Sequence, residues 1–292
     1  MILPYLKTLN LEGSEVNLCQ VLRRCRVESL NIGWFSSVSG LYADEISLSA
    51  LKKLEMAGAD VSDDELPLIL QKCEKLDYLD VTCTAITGES MQHLKESLSL
   101  KTLICANNGL SNDGLLSFLS KCNKLENLDI SEHEELNLDL VEILQIIPGL
   151  ISINASMTSI TKTKSLKLYK GPRPVLTHLN LSYCEELTDS HLLDLFKFFG
   201  ISLKYLNING CNVTGRNLEL SGPLPCLETL LCGRTKLEDT GVCTIIEKTR
   251  TTLRKLGVFQ TEITEGCREA INREYPSLIL DRNYTLDELM LL

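Results

Sequence analysis

Leucine recurs along this chain in a fixed frame. The stretches "LTHLNLSYC" from Leu176, "LKYLNINGC" from Leu203, "LENLDISEH" from Leu125 and "LDYLDVTCT" from Leu76 all read LxxLxLxxx. The same frame begins at Leu6, Val27, Leu51, Leu76, Leu100, Leu125, Leu150, Leu176, Leu203, Leu227, Leu253 and Leu278, at intervals of 21 to 27 residues. Places one, four and six are apolar between polar neighbours, the period of a short half-buried strand. The segment that follows has helical spacing, as in Leu187, Leu192, Leu195 and Phe196. Each unit therefore predicts a strand, a turn and a helix. One such unit cannot bury its apolar side alone, so neighbours must stack and share a core. The expected fold class is an α/β solenoid of parallel strands, undivided over residues 1–292, with eleven full repeats and a terminal strand.

The polar stretches between strand and helix carry residues suited to capping: Ser62-Asp63-Asp64, Thr87, Ser111-Asn112-Asp113, Thr188-Asp189 and Asp239-Thr240. Their side-chain oxygens are expected to accept the first free amides of the helix. Cys25, Cys73, Cys122 and Cys226 close helical segments just before the next strand and read as small buried packing residues. Trp34, Phe35 and Tyr42 fall in an irregular repeat, "GWFSSVSGLYADEIS", and are expected to form local core, with an exposed contact patch as the alternative.

With these residues in view, "LNLSYCEELTDSHLLDL" resembles the cysteine-containing leucine-rich repeat, which has cysteine in the ninth place and an apolar-Thr-Asp start to its helix. Cys184 and Cys211 hold that cysteine; Thr84, Asn108, His133, Thr158, Thr235 and Thr261 stand there in other repeats. The resemblance implies a right-handed horseshoe, with parallel strands on the concave face and helices on the convex one. It also implies a non-catalytic protein-protein interaction module of the kind found in F-box/leucine-rich-repeat proteins, hence a substrate-recognition component of a ubiquitin ligase. A stand-alone scaffold or inhibitor covering one partner protein is the alternative. No F-box precedes Leu6, so the ligase version implies an adaptor-binding segment, or a covering partner, beyond Met1. At the other end "NYTLDELMLL", residues 283–292, reads as a C-terminal cap with a Thr285 to Glu288 capping box.

Composition narrows the chemistry. The formal charge of −10 opposes general attraction to nucleic acid or anionic lipid, and no apolar run has the length of a membrane span. The N-terminus lacks the pattern of a secretory signal, so the four Asn-x-Ser/Thr sequons at Asn154, Asn180, Asn212 and Asn283 read as chance. A cytoplasmic or nuclear location follows as the expectation. Twelve cysteines form no CxxC pair and no cysteine/histidine quartet, and a chain of 292 residues needs no disulfide staples. Cys184 reads as scaffold, His133 as a substituted turn residue in the same place, and His93 and His191 as helix residues in no zinc motif. The acidic clusters Asp63-Asp64-Glu65 and Glu132-Glu134-Glu135 read as solvated turns, and no glycine-rich phosphate loop follows a strand. No catalytic residue, cofactor or metal is expected.

Reading down equal places of successive frames predicts the strand-lined surface. The second place runs Lys7, Glu28, Lys52, Asp77, Lys101, Glu126, Ile151, Thr177, Lys204, Glu228, Arg254. Opposite charges alternate, lapse at Ile151 and Thr177, and resume. At the lapse the face offers Ile151, Asn154, His178, Asn180, Tyr205 and Asn207, the low-charge, partly aromatic mixture of an interface centre. The adjoining "SITKTKSLKLYKGPRPV" holds Lys162, Lys164 and Lys167 and no acid. Together these residues are the expected partner-binding site, suited to a protein partner presenting an acidic or phosphorylated peptide. The seventh place is mostly small, as in Gly33, Ala57, Ser156, Ser182 and Gly233, which would let a ligand backbone approach the strands.

Overall fold

The computed structural model describes residues 6–94, 97–137, 139–160, 166, 169–171, 174–249 and 252–281. The expected cap over 283–292 lies outside the described residues, as do Lys162, Lys164 and Lys167. The chain packs as two compact units, Met1–Leu136 and Asn137–Leu292. In the first, β1 (Thr8–Asn10), β2 (Ser29–Asn31), β3 (Lys53–Glu55), β4 (Tyr78–Asp80), β5 (Thr102–Ile104) and β6 (Asn127–Asp129) pair in parallel in chain order. In the second, β7 (Ser152–Asn154), β8 (His178–Asn180), β9 (Tyr205–Asn207), β10 (Thr229–Leu231), β11 (Lys255–Gly257) and β12 (Ile279–Asp281) do the same. Between the strands run α1 (Leu18–Leu22), α2 (Glu65–Leu70), α3 (Asn112–Ser120), α4 (Leu140–Ile146), α5 (Asp189–Phe199), α6 (Asp239–Thr249) and α7 (Glu265–Glu274).

The register follows the leucine frame. Place-four leucines pair with one another, Leu30 with Leu54 and Leu179 with Leu206, and all four are fully buried. The last frame departs from it: Leu278 is buried like a place-one residue, yet Leu280, two residues on, pairs with Leu256. The frame is one residue short there, where even spacing would have put Asp281.

Main-chain bonding between repeats outruns the three-residue strands. The place-eight amide donates to the place-seven carbonyl of the next repeat: Trp34 to Ala57 at 2.9 Å, Cys83 to Ala106 at 3.0 Å, Tyr183 to Asn209 at 2.7 Å, Arg234 to Phe259 at 2.8 Å. To aim that amide, place eight adopts the left-handed conformation, with φ of 61° at Trp34, 54° at Cys83, 57° at Tyr183 and 54° at Arg234. L-residues avoid this region at a cost of about 1–2 kcal/mol, and the inter-repeat bonds offset it.

Place nine then closes the turn. Thr84, Thr158, Thr235 and Thr261 donate their hydroxyls to the place-six carbonyl of their own repeat, at 2.6, 2.7, 2.6 and 2.9 Å. Cys184 and Cys211 reach the place-six carbonyl of the preceding repeat instead, Ala155 at 3.2 Å and Leu181 at 3.0 Å. Burial pushes the Cys184 thiol up and the Cys211 thiol to about 12, so both are scaffold thiols rather than nucleophiles. His133 bridges two repeats: Nδ1 lies 2.8 Å from the Ser131 carbonyl and 3.1 Å from that of Ile130, and Nε2 lies 2.7 Å from Asn108 Oδ1 and 3.3 Å from the Asn108 main-chain nitrogen. Burial lowers the pKa of the ring and favours its neutral form.

Caps form in part as expected. Ser111 accepts the Gly114 amide at 3.0 Å, and His191 in α5 accepts the Thr188 amide through Nδ1 at 3.2 Å. The aspartates beside them do something else. Asp189 accepts from Thr214 N–H at 3.0 Å, the Thr214 hydroxyl at 2.6 Å and Gly215 N–H at 2.8 Å, one repeat further on. Asp63 holds Thr87 and Gly88 in the same manner, and Asp239 holds Thr264. The aspartates clamp repeat to repeat because the next helix start has its own unpaired amides. The clamped Gly215 (φ 86°) lies against the following repeat so closely that a Cβ on Gly241 would stand 2.8 Å from its Cα. Gly88 and Gly114 make the same approach in the first unit.

Three expectations need correction. The segment after β2 forms turns rather than a helix, and those after β4 and β9 form 3-10 turns at Glu89–His93 and Leu218–Leu220. The β9 segment carries Gly215, Gly222, Pro223 and Pro225, which oppose a longer helix. Phe35 is core and Tyr42 half-buried, but Trp34 is 65% exposed because its left-handed backbone turns the ring outward over Gly58. Cys25, Cys73 and Cys122 are buried as expected, whereas Cys226 is only half-buried. Among the described residues no helix is long and apolar enough to cross a membrane.

Two measurements test the roles of Asp189 and His133. Asp189→Ala leaves two amides and a hydroxyl unpaired and is expected to lower stability by about 2–3 kcal/mol. Asp189→Asn, which can still accept both amides, should cost less than half as much; equal urea midpoints for the two variants would remove the clamp. The second concerns His133: its folded pKa is depressed, so between that pKa and about 6.5 the unfolded chain binds more protons and stability falls as pH falls through this window. His133→Thr, matching Thr84 and Thr158, should flatten the loss of urea midpoint between pH 7.5 and 5.5. His178, also depressed, supplies a remainder.

Candidate functional site

The strand face divides into residues whose polar atoms the repeat uses and residues it leaves to solvent. In the first unit the second-place ladder is internally paired: Lys7 to Glu28 at 3.1 Å, Glu28 to Lys52 at 2.7 Å, Lys101 to Glu126 at 3.2 Å. These pairs are exposed and screened by solvent, so each contributes little to stability. They hold register more than they recruit a ligand. Across places two, three, five, seven and eight this face carries Lys7, Lys52, Lys53 and Lys101 against Glu12, Glu28, Glu55, Asp77, Asp80, Glu126, Asp129 and Glu132. It is acidic.

The second unit differs in sign. Its described strand face carries Lys204, Arg234, Arg254 and Lys255 against Glu228 and Asp281, in a chain whose overall charge is −10. The uncharged stretch lies on β7, β8 and β9, and six of the expected site residues gather there: Ile151, Asn154, His178, Asn180, Tyr205 and Asn207. Parallel register sets Asn154 beside Asn180, Asn180 beside Asn207, and His178 beside Tyr205. The remaining three, Lys162, Lys164 and Lys167, lie outside the described residues.

The asparagines are committed to the fold. Asn154, Asn180 and Asn207 each accept, through Oδ1, the amide two residues on: Ser156 at 3.2 Å, Ser182 at 3.1 Å and Asn209 at 3.0 Å. Asn10, Asn31, Asp80 and Asp129 do the same in the first unit, which makes place five a turn-forming column. Asn154 and Asn207 are accordingly buried, and Asn180 is half-buried. Their structural duty was visible in the sequence as a recurrence of Asn or Asp in place five.

Ile151 and His178 remain as the exposed features, with the half-buried Tyr205 beside them. Ile151 is 41% exposed, and its carbonyl accepts the amides of Thr177 and His178 at 2.9 and 3.1 Å. The Thr177 hydroxyl lies 3.2 Å from that same carbonyl and 2.8 Å from His178 Nδ1, which ties the ring to the residue before it. Burial and the Lys204 charge lower the His178 pKa, keeping the ring neutral at neutral pH. The ring stacks on Tyr205 with centroids 5.9 Å apart and planes 22° from parallel. The pair is a flat aromatic step.

Place eight adds outward residues that reading the other columns had missed. Met157 is 43% exposed. Tyr183 lies on Gly210, where a Cβ would stand 2.5 Å from its ring, and its hydroxyl accepts from Arg234 at 3.2 Å. Arg234 also donates to Gln260 Oε1 at 2.9 Å. Their common left-handed conformation points these side chains to the same margin of the sheet. The signal available in the sequence was the variety of this column, Met, Tyr, Gly, Arg and Gln, against the uniformity of places one, four and six. Among the described residues no three histidines, cysteines or acids form a metal-binding group.

A family model described as "Leucine Rich repeat" matches residues 174–190, the strand of β8 and the start of α5. No curated protein matches the chain by sequence. Solved structures do match. In the crystal structure of the mouse RP105/MD-1 complex one chain is 17% identical with a TM-score of 0.61, covering 91% of this chain, which spans only 44% of that one. An internalin, InlF, from Listeria monocytogenes is 15% identical with a TM-score of 0.54, covering 96% of this chain and 87% of its own. A chain of the yeast Rad7 and Elc1 complex is 16% identical with a TM-score of 0.55, covering 94% and 80%. At these identities the likeness is one of fold: the chain has the leucine-rich-repeat fold.

Proposed function

We propose that this chain binds a protein partner through the strand face of its second unit, and that Ile151, His178 and Tyr205 form the floor of the contact. The observation that carries the reading is the neutral aromatic step, His178 stacked on Tyr205 beside an exposed isoleucine, set in the uncharged stretch of the strand face. Two of the similar structures named above are of complexes between two proteins, in keeping with an interaction module. Non-catalytic binding fits the site: burial lowers the pKa of its histidine, whose Nδ1 is bonded to the hydroxyl of the adjacent Thr177, and the thiols of Cys184 and Cys211 are buried and raised.

The partner's chemistry follows from charge. A face with Lys204, Arg234, Arg254 and Lys255, continued in sequence by Lys162, Lys164 and Lys167, suits an acidic or phosphorylated peptide. The apolar floor supplies affinity and the basic surround supplies steering. In its most specific form the module is the substrate-recognition component of a ubiquitin ligase, a reading supported by the cysteine-containing repeats at Cys184 and Cys211. Recovery of cullin and adaptor proteins on affinity purification with the proteasome blocked is its test; one stoichiometric partner without them assigns the chain to the stand-alone scaffolds.

Tyr205→Ala and His178→Ala are each expected to weaken capture of the partner at least tenfold, the effect of losing a central aromatic worth about 1.4–2 kcal/mol. Thermal unfolding of each variant controls for folding. Reversing Lys162, Lys164 and Lys167 to glutamate should weaken capture and flatten its salt dependence. Unchanged binding and salt slope in that triple variant would sink the acidic-peptide assignment while leaving the aromatic floor to be judged on its own variants.

A further inference from the structure

The helix side of the second unit holds a pair of thiols that partner binding does not use. Asp239, at the start of α6, accepts the Thr264 amide at 2.8 Å and the Thr264 hydroxyl at 2.6 Å, tying the first turns of α6 and α7 together. One helical turn beyond each anchor stands a cysteine. Cys243 follows Asp239 by four residues, and Cys267 follows Thr264 by three, its amide bonded to the Thr264 hydroxyl at 3.2 Å. Residues at those spacings lie on the same helix face as their anchors, so the tie that joins the helix starts also brings the thiols together. Both Cys243 and the Asp239 carboxylate bear electrostatically on the Cys267 thiol. Cys243 is exposed and Cys267 half-buried. A Cβ built on the adjoining Gly266 would meet nothing within 4 Å, so the flank of the pair is open to a small reagent.

We propose that Cys243 and Cys267 are a dithiol modification site that reacts with low-molecular-weight disulfides and closes to an intramolecular disulfide. The two thiols have distinct roles. Burial first, then the charges of Cys243 and Asp239, push the Cys267 thiol up to about 12, so it stays protonated at neutral pH. Cys243, the more exposed, attacks as thiolate on one sulfur of the reagent RSSR; that S–S bond breaks and one RSH leaves with the proton from Cys243. In the resulting mixed disulfide Cys267 loses its proton, attacks the Cys243 sulfur and expels the second RSH. The sum is two protein thiols and one RSSR converted to one protein disulfide and two RSH, with two electrons passing from the thiols to the reagent.

Closure requires the sulfurs to approach to a bond of about 2.05 Å, drawing the first turns of α6 and α7 toward each other. The Asp239 tie already limits how far they can part. Buried thiols such as Cys184 and Cys211 are shielded from this chemistry. Cys83, exposed, and Cys226, half-buried, serve as internal controls.

The test is incubation of the purified chain with oxidised glutathione, followed by intact mass measurement and non-reducing peptide mapping. The expected result is loss of two hydrogens and a cross-link joining the peptides of Cys243 and Cys267, while Cys83 and Cys226 carry glutathione adducts. Cys267→Ser should stop at a glutathione adduct on Cys243, and Cys243→Ser should react at Cys267 no faster than at Cys226. A stable adduct on Cys243 in the unsubstituted chain, or a cross-link from Cys243 to any other cysteine, overturns the proposal. Because the peptide map is read on the unsubstituted protein, the cross-link is assigned whether or not the serine variants fold.

Discussion

A repeat in this protein cannot satisfy its own main chain, and everything else is arranged around that fact. Each strand is three residues long, yet the bonds it sends to the next repeat begin at place two and continue to place eight, where an amide reaches the neighbour's place-seven carbonyl. Because every donor has its acceptor about one repeat away, the nine-residue frame tolerates little variation. The descending segment carries none of this ladder, and there the chain varies freely between α-helix, 3-10 turn and plain turn. Side chains reinforce the same direction of dependence. Asp63, Asp189 and Asp239 each reach forward to the threonine that begins the next descending segment, while Cys184 and Cys211 reach back to the preceding turn.

The leucine frame was legible in the sequence because apolar burial is decided at fixed offsets within a few residues. Leu30, Leu54, Leu79 and Leu103 needed no knowledge of their neighbours to be placed inside. The scaffold role of Cys184 was readable too, since a column that also admits threonine and asparagine is bonding turns. What escaped were contacts about 25 residues long. Asp189 looks like a cap when only its own helix is considered, and its partner Thr214 enters only once two repeats are laid side by side. Asn154, Asn180 and Asn207 looked available to a ligand because their polarity is all that a single frame displays. Trp34 looked like core because its type is apolar, and its backbone conformation turned it outward.

Sorting side chains by what already binds them changes the picture of the candidate site. The asparagines keep the turns in shape, and the second-place charges of the first unit neutralise one another. The His178–Tyr205 step, set by parallel register and by the Thr177 hydroxyl, stands clear of those duties as a flat aromatic surface. Recognition here is assembled from neighbouring strands, and no single repeat contains it.

Place eight holds its left-handed shape through its amide whatever side chain it carries, even where those side chains also bond one another, as Tyr183, Arg234 and Gln260 do. That separation explains how tryptophan, cysteine, asparagine, glutamate, methionine, tyrosine, arginine and glutamine can occupy one left-handed position in successive turns. Within each unit the spacing between adjacent strands sets neighbouring place-eight residues roughly 5 Å apart, close to the pitch of a stacked row of letters. The margin of the sheet thereby becomes a line of text that mutation can rewrite one character at a time, while the press that prints it stays the same.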